Sequence, residues 1–248
     1  MSQREERPVA LVTGAARRIG AAIASRLHAA GYDVALHCRR SREELDALIA
    51  TLESTRADST LALQANLEDT ASLPALVDAT IARFGRLDAL VNNASAFYPT
   101  PVDAATPTQW DELFAANVRA PFFLAQAAAP RLAEREGAIV NIVDIYAERP
   151  LADYSIYSMT KAALAMMTKS LARELGPRVR VNGVAPGAVL WPDSGKSYAA
   201  REELIARTPL KRTGSPEDVA GAVLWLLRDA PFVTGEIVRV DGGRHLSI

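Results

Sequence analysis

Short apolar runs rich in β-branched residues alternate with longer helical segments along most of this chain of 248 residues. Runs of this kind suit strands that are buried on both faces, which is how strands lie in a parallel sheet. The predicted strands are residues 9–13, 34–37, 61–64, 87–92, 138–143, 179–184 and 237–240. Because parallel strands need crossover connections, the alternation predicts an α/β fold in which helices cover both faces of a parallel sheet.

Helix signals fall between these runs. The predicted helices are residues 18–30, 69–84, 107–128, 154–175 and 216–227, together with one that starts near Ser41. Ser41 and Thr106 are typical N-cap residues, and Pro216 suits a first helical position. Residues 187–208 are polar and loop-like, with possible short helices. No repeat or linker interrupts the pattern, so it predicts one domain over residues 1–248, with residues 1–7 as a flexible tail.

Composition narrows the classes of function. Hydrophobic residues make up 49% of the chain, which indicates a globular protein. The net charge of -1 provides no basic field for nucleic acid or an anionic membrane surface. Cys38 is the single cysteine, so no disulfide forms within the chain, and the histidines lack the spacing of metal ligands. With no signal peptide and no membrane-spanning stretch, we expect a soluble, cytoplasmic protein that holds no metal.

The first strand leads into a glycine-containing turn that suits a dinucleotide. Gly14 permits a tight turn, and Gly20 permits close packing of the next helix on the sheet. The N–H groups at the start of that helix could bind a pyrophosphate. Arg17 and Arg18 lie in the same turn, where a solvated surface would explain them equally well.

The end of the second strand indicates which dinucleotide. A ribose 2′-hydroxyl is usually held there by an acid and a 2′-phosphate by arginine. Residues 34–42 contain no acid, but Arg39, Arg40 and Ser41 follow His37 closely. This pattern favours NADPH over NADH, with ordinary surface charge as the alternative for the two arginines.

The candidate chemistry lies in residues 138–161, which read as a strand, a loop and the start of a helix. Asp144 comes where the strand should end. Tyr157 and Lys161 are four residues apart, so they share a helix face and can act on one molecule. A fixed ammonium favours phenolate, so we expect Lys161 to lower the pKa of Tyr157. Such a pair also occurs by chance on helix surfaces.

Taken together, these motifs resemble the short-chain dehydrogenase/reductase family over nearly the whole chain. The matching positions are Thr13, Gly14 and Gly20, Asn92 to Ala94, Asn117, Tyr157 and Lys161, Asn182, Pro186 and Gly187, and Asp241 to Gly243. The resemblance implies a Rossmann-like, doubly wound parallel sheet of seven strands with helices on both faces. It also implies a homotetramer.

Three departures from the common family pattern resemble its pteridine reductase branch. Arg18 stands where a glycine is usual, Ser95 replaces the glycine of Asn-Asn-Ala-Gly, and Asp144 replaces the serine thirteen residues before the tyrosine. That branch reduces dihydropterins, and in some members dihydrofolate, with NADPH. The resemblance therefore implies a small pterin substrate.

The same resemblance implies roles for matching residues. Cofactor contacts are implied for Gly14, Arg17, Arg18, Ile19, Gly20, His37, Arg39, Arg40, Ser41, Asn66, Leu67, Asn93, Ala94, Ser95, Tyr157, Lys161, Pro186 and Gly187. Within this set, the residues on the 2′-phosphate side would be Arg17, His37, Arg39, Arg40 and Ser41. Asn66, where the family more often has Asp, would flank the adenine with Leu67. Substrate contacts are implied for Arg18, Ser95, Phe97, Asp144 and Tyr157. Asn117 would hold a helix irregularity and a water that links Lys161 to solvent.

A pterin suits these residues chemically. Phe97 follows the fourth strand and could stack on a flat ring, although it could also pack under its own loop. Reduction of a C=N bond sends hydride to carbon and a proton to nitrogen. Asp144 could supply that proton with Tyr157 as a relay if its carboxyl stays partly protonated. Alternatively, Asp144 only orients the ring.

These observations leave three interpretations, led by an NADPH-dependent pteridine reductase. The alternative is a carbonyl reductase of the same family, such as a 3-oxoacyl-thioester reductase. The third is a non-catalytic NADP(H)-binding regulator, against which the catalytic set Asn117, Asp144, Tyr157 and Lys161 argues. Residues 190–208 are expected to form a substrate lid, and Arg244 and His245 could reach a neighbouring subunit's site.

Overall fold

The computed structural model describes residues 7–189 and 198–247, and within them seven strands form one parallel sheet. The strands are β1 (Val9–Val12), β2 (Asp33–Cys38), β3 (Thr60–Gln64), β4 (Ala89–Asn92), β5 (Ala138–Ile142), β6 (Arg180–Pro186) and β7 (Ile237–Val240). Their order is β3-β2-β1-β4-β5-β6-β7, and every neighbouring pair is parallel. The predicted Rossmann-like fold with seven strands is confirmed.

The helices lie between the strands as predicted, with two differences. They are α1 (Arg18–Ala29), α2 (Arg42–Thr55), α3 (Leu73–Phe84), α4 (Pro107–Phe114), α5 (Ala120–Ala133), α6 (Ser155–Leu175), α7 (Tyr198–Arg207) and α8 (Pro216–Leu224). The helix predicted over residues 107–128 is present, but a π-helical turn (Ala115–Arg119) lies within it and divides it into α4 and α5. A second π-helical turn (Trp225–Asp229) follows α8.

Side chains of the buried strands alternate between two helical layers. Ala10 and Val12 of β1 pack with residues of α1, α2 and α8. Val9 and Leu11 pack on the opposite face with residues of α3, α5 and α6. Because both faces are covered, every residue of β1, β2, β4 and β5 is buried, which explains why their sequences are mostly apolar.

Two helix N-termini are capped by side-chain hydrogen bonds, and a third is not. Thr106 and Ser215 each accept a hydrogen bond from the third residue of their helix and form reciprocal capping boxes. Ser41 precedes α2, but its side chain caps no N–H group. The hydroxyl of Ser41 is thus not used to hold its own helix.

The strand order determines where a ligand site is expected on the sheet. The chain runs outward from β1 in one direction and from β4 in the other, so the order reverses between these two strands. Ligands of open α/β sheets bind beside the carboxyl ends of strands at such a point. The residues that follow β1, β4 and β5 therefore meet at one crevice.

Two predicted segments fall wholly or partly outside this description. The tail lies outside it apart from Arg7, and residues 190–197 of the expected lid lie outside it as well. Residues 198–207 form α7, one of the short helices that the sequence allowed. None of the helices in the described ranges has both the length and the apolar character of a membrane span.

Candidate active site

The two glycines of the first turn are required by close contacts. Gly14 has φ +63°, and a Cβ there would lie 2.9 Å from Cα of Ala94. A Cβ on Gly20 would overlap the carbonyl oxygen of Gly14. The predicted tight turn and close helix packing are therefore confirmed.

Hydrogen bonds join this turn to the loop after β4. Oγ1 of Thr13 accepts hydrogen bonds from the backbone N–H groups of Asn93 and Ala94, both at 3.0 Å. Nδ2 of Asn93 donates to the carbonyl oxygens of Thr13 at 2.9 Å and Gly14 at 3.0 Å. The predicted contact residues Asn93 and Ala94 thus form one rigid wall with the nucleotide turn.

His37 occupies a different place from the one expected. Its ring is buried, with only 1% of the residue exposed, and Nδ1 accepts a hydrogen bond from the N–H of Gly14 at 3.3 Å. Nε2 lies 3.1 Å from the carbonyl oxygen of Ala65, so the neutral tautomer with its proton on Nε2 satisfies both contacts. Burial lowers the pKa of His37. His37 therefore supports the turn from inside, instead of reaching out to a 2′-phosphate.

The arginines, in contrast, are exposed around this turn. Arg17 and Arg18 stand at the start of α1, where no side chain caps the helix and its first turn holds no acid. Arg39 and Arg40 are exposed just beyond β2, next to the half-buried Ser41. An uncapped helix N-terminus surrounded by guanidinium groups fits the phosphates of a dinucleotide.

The remaining predicted cofactor residues line the same edge of the sheet. Asn66 and Leu67 follow β3, and Oδ1 of Asn66 accepts a hydrogen bond from the N–H of Glu68 at 3.4 Å. Ile19 is half-buried in α1. Pro186 ends β6, and a Cβ on Gly187 would lie 2.7 Å from Cβ of Asp241.

At the end of β5, Asp144 and Tyr157 form a direct pair. Oη of Tyr157 donates a hydrogen bond to Oδ2 of Asp144 at 2.8 Å. The other carboxyl oxygen accepts one from the N–H of Tyr146 at 3.0 Å. Burial raises the pKa of Asp144, while the Tyr146 amide, the charge of Lys161 and the Tyr157 hydroxyl oppose the rise. Asp144 therefore holds a proton more readily than an ordinary aspartate.

The expected lowering of the Tyr157 pKa is wrong. Burial is the main cause that raises the pKa of Tyr157 well above its usual value, and the negative charge of Asp144 adds to it. A hydrogen bond with Ser95 acts in the opposite direction. Nζ of Lys161 lies 5.6 Å from the centre of the Tyr157 ring and donates to the carbonyl oxygen of Ile142 at 2.9 Å. Burial also lowers the pKa of Lys161 to about 8.

Asn117 sits in the π-helical turn, so the implied helix irregularity is present. Its Oδ1 accepts hydrogen bonds from the N–H of Ala96 at 2.8 Å and from Oγ of Ser95 at 3.0 Å. Its Nδ2 donates to the carbonyl oxygen of Ala96 and to Oγ1 of Thr160, both at 3.0 Å. Asn117 thus fastens the loop after β4 to α6, the helix that carries Tyr157.

Comparison with known proteins agrees with this arrangement. The sequence model of a family described as enoyl-(acyl carrier protein) reductase matches residues 14–245. Pteridine reductase 1 of Leishmania tarentolae is 40% identical, with 97% of each chain covered. The chain belongs to the short-chain dehydrogenase/reductase family. It is therefore an oxidoreductase, and the cofactor used by this family is NAD(P)H.

Other relatives in the family are named for a different activity, the reduction of ketoacyl groups. The granaticin polyketide synthase putative ketoacyl reductase 2 of Streptomyces violaceoruber is also 40% identical, with 97% of each chain covered. A 3-oxoacyl-(acyl-carrier-protein) reductase of Staphylococcus aureus is 35% identical over 96% of this chain and 98% of its own. Sequence identity therefore does not decide the substrate, and the short-chain dehydrogenase/reductase site must be interpreted from its own residues.

Phe97 is an exposed aromatic side chain beside Tyr157 in this family member. It is 53% exposed, and its ring stacks on Tyr154 with centroids 4.6 Å apart and planes 18° apart. Its edge meets Tyr157 at 4.7 Å, with the planes 78° apart. Phe97 is thus not packed under its own loop. Tyr154 is a support that the sequence indicated only by its position three residues before Tyr157.

The C-terminal residues approach the site within their own chain. Burial raises the pKa of Tyr146, and the charge of Arg244 with a hydrogen bond from it lowers that pKa. His245 instead bonds Asp241, with 2.7 Å between Nδ1 and Oδ2. The Arg244 guanidinium thus lies beside Tyr146 of its own chain, and a contact of Arg244 with a neighbouring subunit's site stays a prediction.

Proposed function

We propose that this chain reduces a dihydropterin of the dihydrobiopterin or dihydromonapterin type to its tetrahydro form with NADPH, with dihydrofolate as a further candidate substrate. The observation that carries the proposal is the hydrogen bond from Tyr157 to Asp144 beside the open Phe97 ring. A ring-stacking side chain and a protonatable carboxyl are what reduction of a flat heterocycle requires. NADPH supplies the hydride when it is bound.

The residues of the chain would manage the proton. Reduction of the C=N bond adds hydride to the carbon and a proton to the nitrogen. Asp144 has a raised pKa and shares a hydrogen bond with Oη of Tyr157, so a proton can pass between these two groups and on to the ring nitrogen. Lys161 would bind the nicotinamide ribose. Asn117 would hold the loop after β4 in place through its hydrogen bond from Ala96.

Phe97 would hold the pterin flat. Its stacked partner Tyr154 supports one face, which favours a fixed ring plane over a mobile one. Stacking adds about 0.5–1.5 kcal/mol beyond the buried area, and the fixed orientation contributes more to the rate than to affinity. Arg18 and Ser95 lie on the turns that flank this position and would contact the polar edge of the ring.

The identity to ketoacyl reductases favours the alternative substrate, a 3-oxoacyl thioester. Asp144 weighs against it, because the resemblance places a serine at this position in the carbonyl reductases of the family, and those enzymes rely on its hydroxyl.

The test is the rate of NADPH oxidation with dihydrobiopterin, dihydromonapterin, dihydrofolate and acetoacetyl thioester, each compared with NADH. We expect turnover of the pterins and a preference for NADPH. Turnover of the thioester alone would establish the carbonyl reductase. Binding of NADPH without hydride transfer to any of these compounds would establish the regulator.

Two substitutions separate a proton relay from simple orientation. Asp144→Asn keeps the size and one acceptor but cannot carry a proton, and we expect pterin turnover to fall by about 10²–10⁴-fold. Asp144→Ser should behave similarly. Asp103→Asn, an exposed acid in the loop before α4, is the matched control and should leave turnover unchanged. If Asp144→Asn retains full turnover, Asp144 only orients the ring.

We also propose a cytoplasmic homotetramer, and one surface of the chain supports self-association. Phe122 and Phe123 of α5 and Met166 of α6 are large apolar side chains left 39%, 39% and 62% exposed. Together they line a groove between these helices. Light scattering after size exclusion measures the number of chains, and a monomer at micromolar concentration would refute the tetramer.

A further inference from the structure

Two of the arginines assigned to the 2′-phosphate are already engaged with glutamates. Nη1 of Arg17 lies 3.3 Å from Oε1 of Glu44. Nη1 of Arg39 lies 3.0 Å from Oε1 of Glu68. The cationic site therefore contains its own anions, and both of them lie outside residues 34–42.

The two carboxylates come from different elements. Glu44 is in the first turn of α2, where the helix dipole favours an acid. Glu68 follows β3, and its N–H is held by Oδ1 of Asn66. Each glutamate is thus positioned by local structure and does not depend on its arginine partner for its place.

Both ion pairs are of a kind that a ligand can displace. Neither glutamate makes a hydrogen bond to its arginine among the described contacts, whereas Nε of Arg42 donates to Asp46 at 2.8 Å and 2.9 Å. The side chains are also exposed, by 63% for Arg17 and 50% for Arg39. Exposed pairs of this type contribute little, while a phosphate carries more charge and more acceptor oxygens than one carboxylate.

We propose that Glu44 and Glu68 are internal competitors of the 2′-phosphate and set how strongly the site prefers a dinucleotide that carries one. Each glutamate occupies an arginine until the phosphate displaces it. The competition lowers the affinity for 2′-phosphorylated ligands and leaves unphosphorylated ones unaffected. This inference rests on the proposed use of NADPH, and not on the proposed pterin.

The test measures binding of two cofactor fragments by isothermal titration calorimetry. Adenosine 2′,5′-diphosphate carries the 2′-phosphate, and adenosine 5′-diphosphate lacks it. In Glu68→Gln and Glu44→Gln we expect affinity for the first fragment to rise about two- to fivefold, and further in the double variant. Affinity for the second fragment should stay unchanged. Asp46→Asn removes the same charge from the same helix as Glu44 and should change neither affinity.

Each other result overturns the inference. Equal gains for both fragments, or an equal gain in Asp46→Asn, would show a general effect of net charge. Weaker binding of the 2′,5′-diphosphate in Glu68→Gln would show that Glu68 positions Arg39 for the ligand. If the unaltered protein does not prefer the 2′,5′-diphosphate, the NADPH premise fails as well. The expected pattern without pterin turnover would support the inference and refute only the pterin substrate.

Discussion

Lys161→Met should stabilise the ligand-free protein while it abolishes turnover. Lys161 is 2% exposed, and burial lowers its pKa from 10.5 to about 8. That difference means that the folded state holds the charged lysine less favourably than the unfolded state does. Methionine fills similar volume without a charge, so the cost disappears in the variant.

The magnitude follows from the two pKa values. A fall from 10.5 to about 8 corresponds to about 3 kcal/mol at neutral pH, at about 1.4 kcal/mol for each pKa unit. The variant also loses the hydrogen bond from Nζ to Ile142, which offsets about 2 kcal/mol. We therefore expect Lys161→Met to be more stable by about 1 kcal/mol at pH 7.

The pH dependence has a definite sign. Between about pH 8 and 10.5 the lysine is neutral in the folded chain and charged in the unfolded chain. The unfolded state then binds more protons, so the unaltered protein gains stability as the pH rises through this window. The advantage of the variant should shrink above pH 8 and reverse by about pH 10.

Urea unfolding at pH 7 and at about pH 10, at one protein concentration, measures both free energies. Lys169→Met changes an exposed lysine on the same helix and should stay within about 0.5 kcal/mol of the unaltered protein at either pH. A stability difference between Lys161→Met and the unaltered protein that does not change with pH would refute the reasoning, because the buried charge would then cost nothing.

The other predictions concern single side chains around the crevice. Tyr157→Phe removes the hydroxyl that bonds Asp144 and should lower pterin turnover about 10²–10⁴-fold in a steady-state assay; turnover within tenfold of normal would argue against proton transfer through Tyr157. Phe97→Leu should raise KM for dihydrobiopterin about tenfold, and an unchanged KM would exclude a stacked ring. Gly20→Ala should prevent NADPH binding or folding, as followed by calorimetry and circular dichroism, because its Cβ would overlap Gly14. Gly221→Ala on α8 meets open space and should raise stability by about 0.4–1 kcal/mol; equal effects of the two alanines would contradict the packing argument.

The sheet and the nucleotide turn were predictable because short-range rules determine them. Buried parallel strands need continuous apolar sequence, and the predicted strands agree with the observed ones to within about two residues at each end. The need for glycine at Gly14 and Gly20 is also largely local, because Gly14 has a positive φ and a Cβ on Gly20 would overlap Gly14 of the same turn. The contact of Gly14 with Ala94, in contrast, was not visible in the sequence.

The features that the sequence pattern did not indicate depend on contacts between residues that are distant in sequence. Residues 107–128 have helical character throughout, so only the family resemblance, and nothing local, indicates the π-helical turn at residues 115–119. In the structure, the Asn117 side chain reaches Ala96 and Thr160, which lie 21 and 43 residues away in sequence. His37 was likewise expected on the 2′-phosphate side, but its ring lies between Gly14 and Ala65. Both positions are set by tertiary hydrogen bonds.

The error about Tyr157 has the same origin and bears on the chemistry. The sequence shows a lysine four residues away, but not the burial of both groups or the carboxyl 2.8 Å from the phenol. Burial moves the pKa of Asp144 up and that of Lys161 down, so each group is pushed toward its neutral form. In such a site the addition of one charged ligand changes where the proton resides. A positively charged oxidised nicotinamide would favour ionised Asp144, and the neutral reduced form would favour its protonated state. The carboxyl would then carry a transferable proton in the complex that also has a hydride to donate.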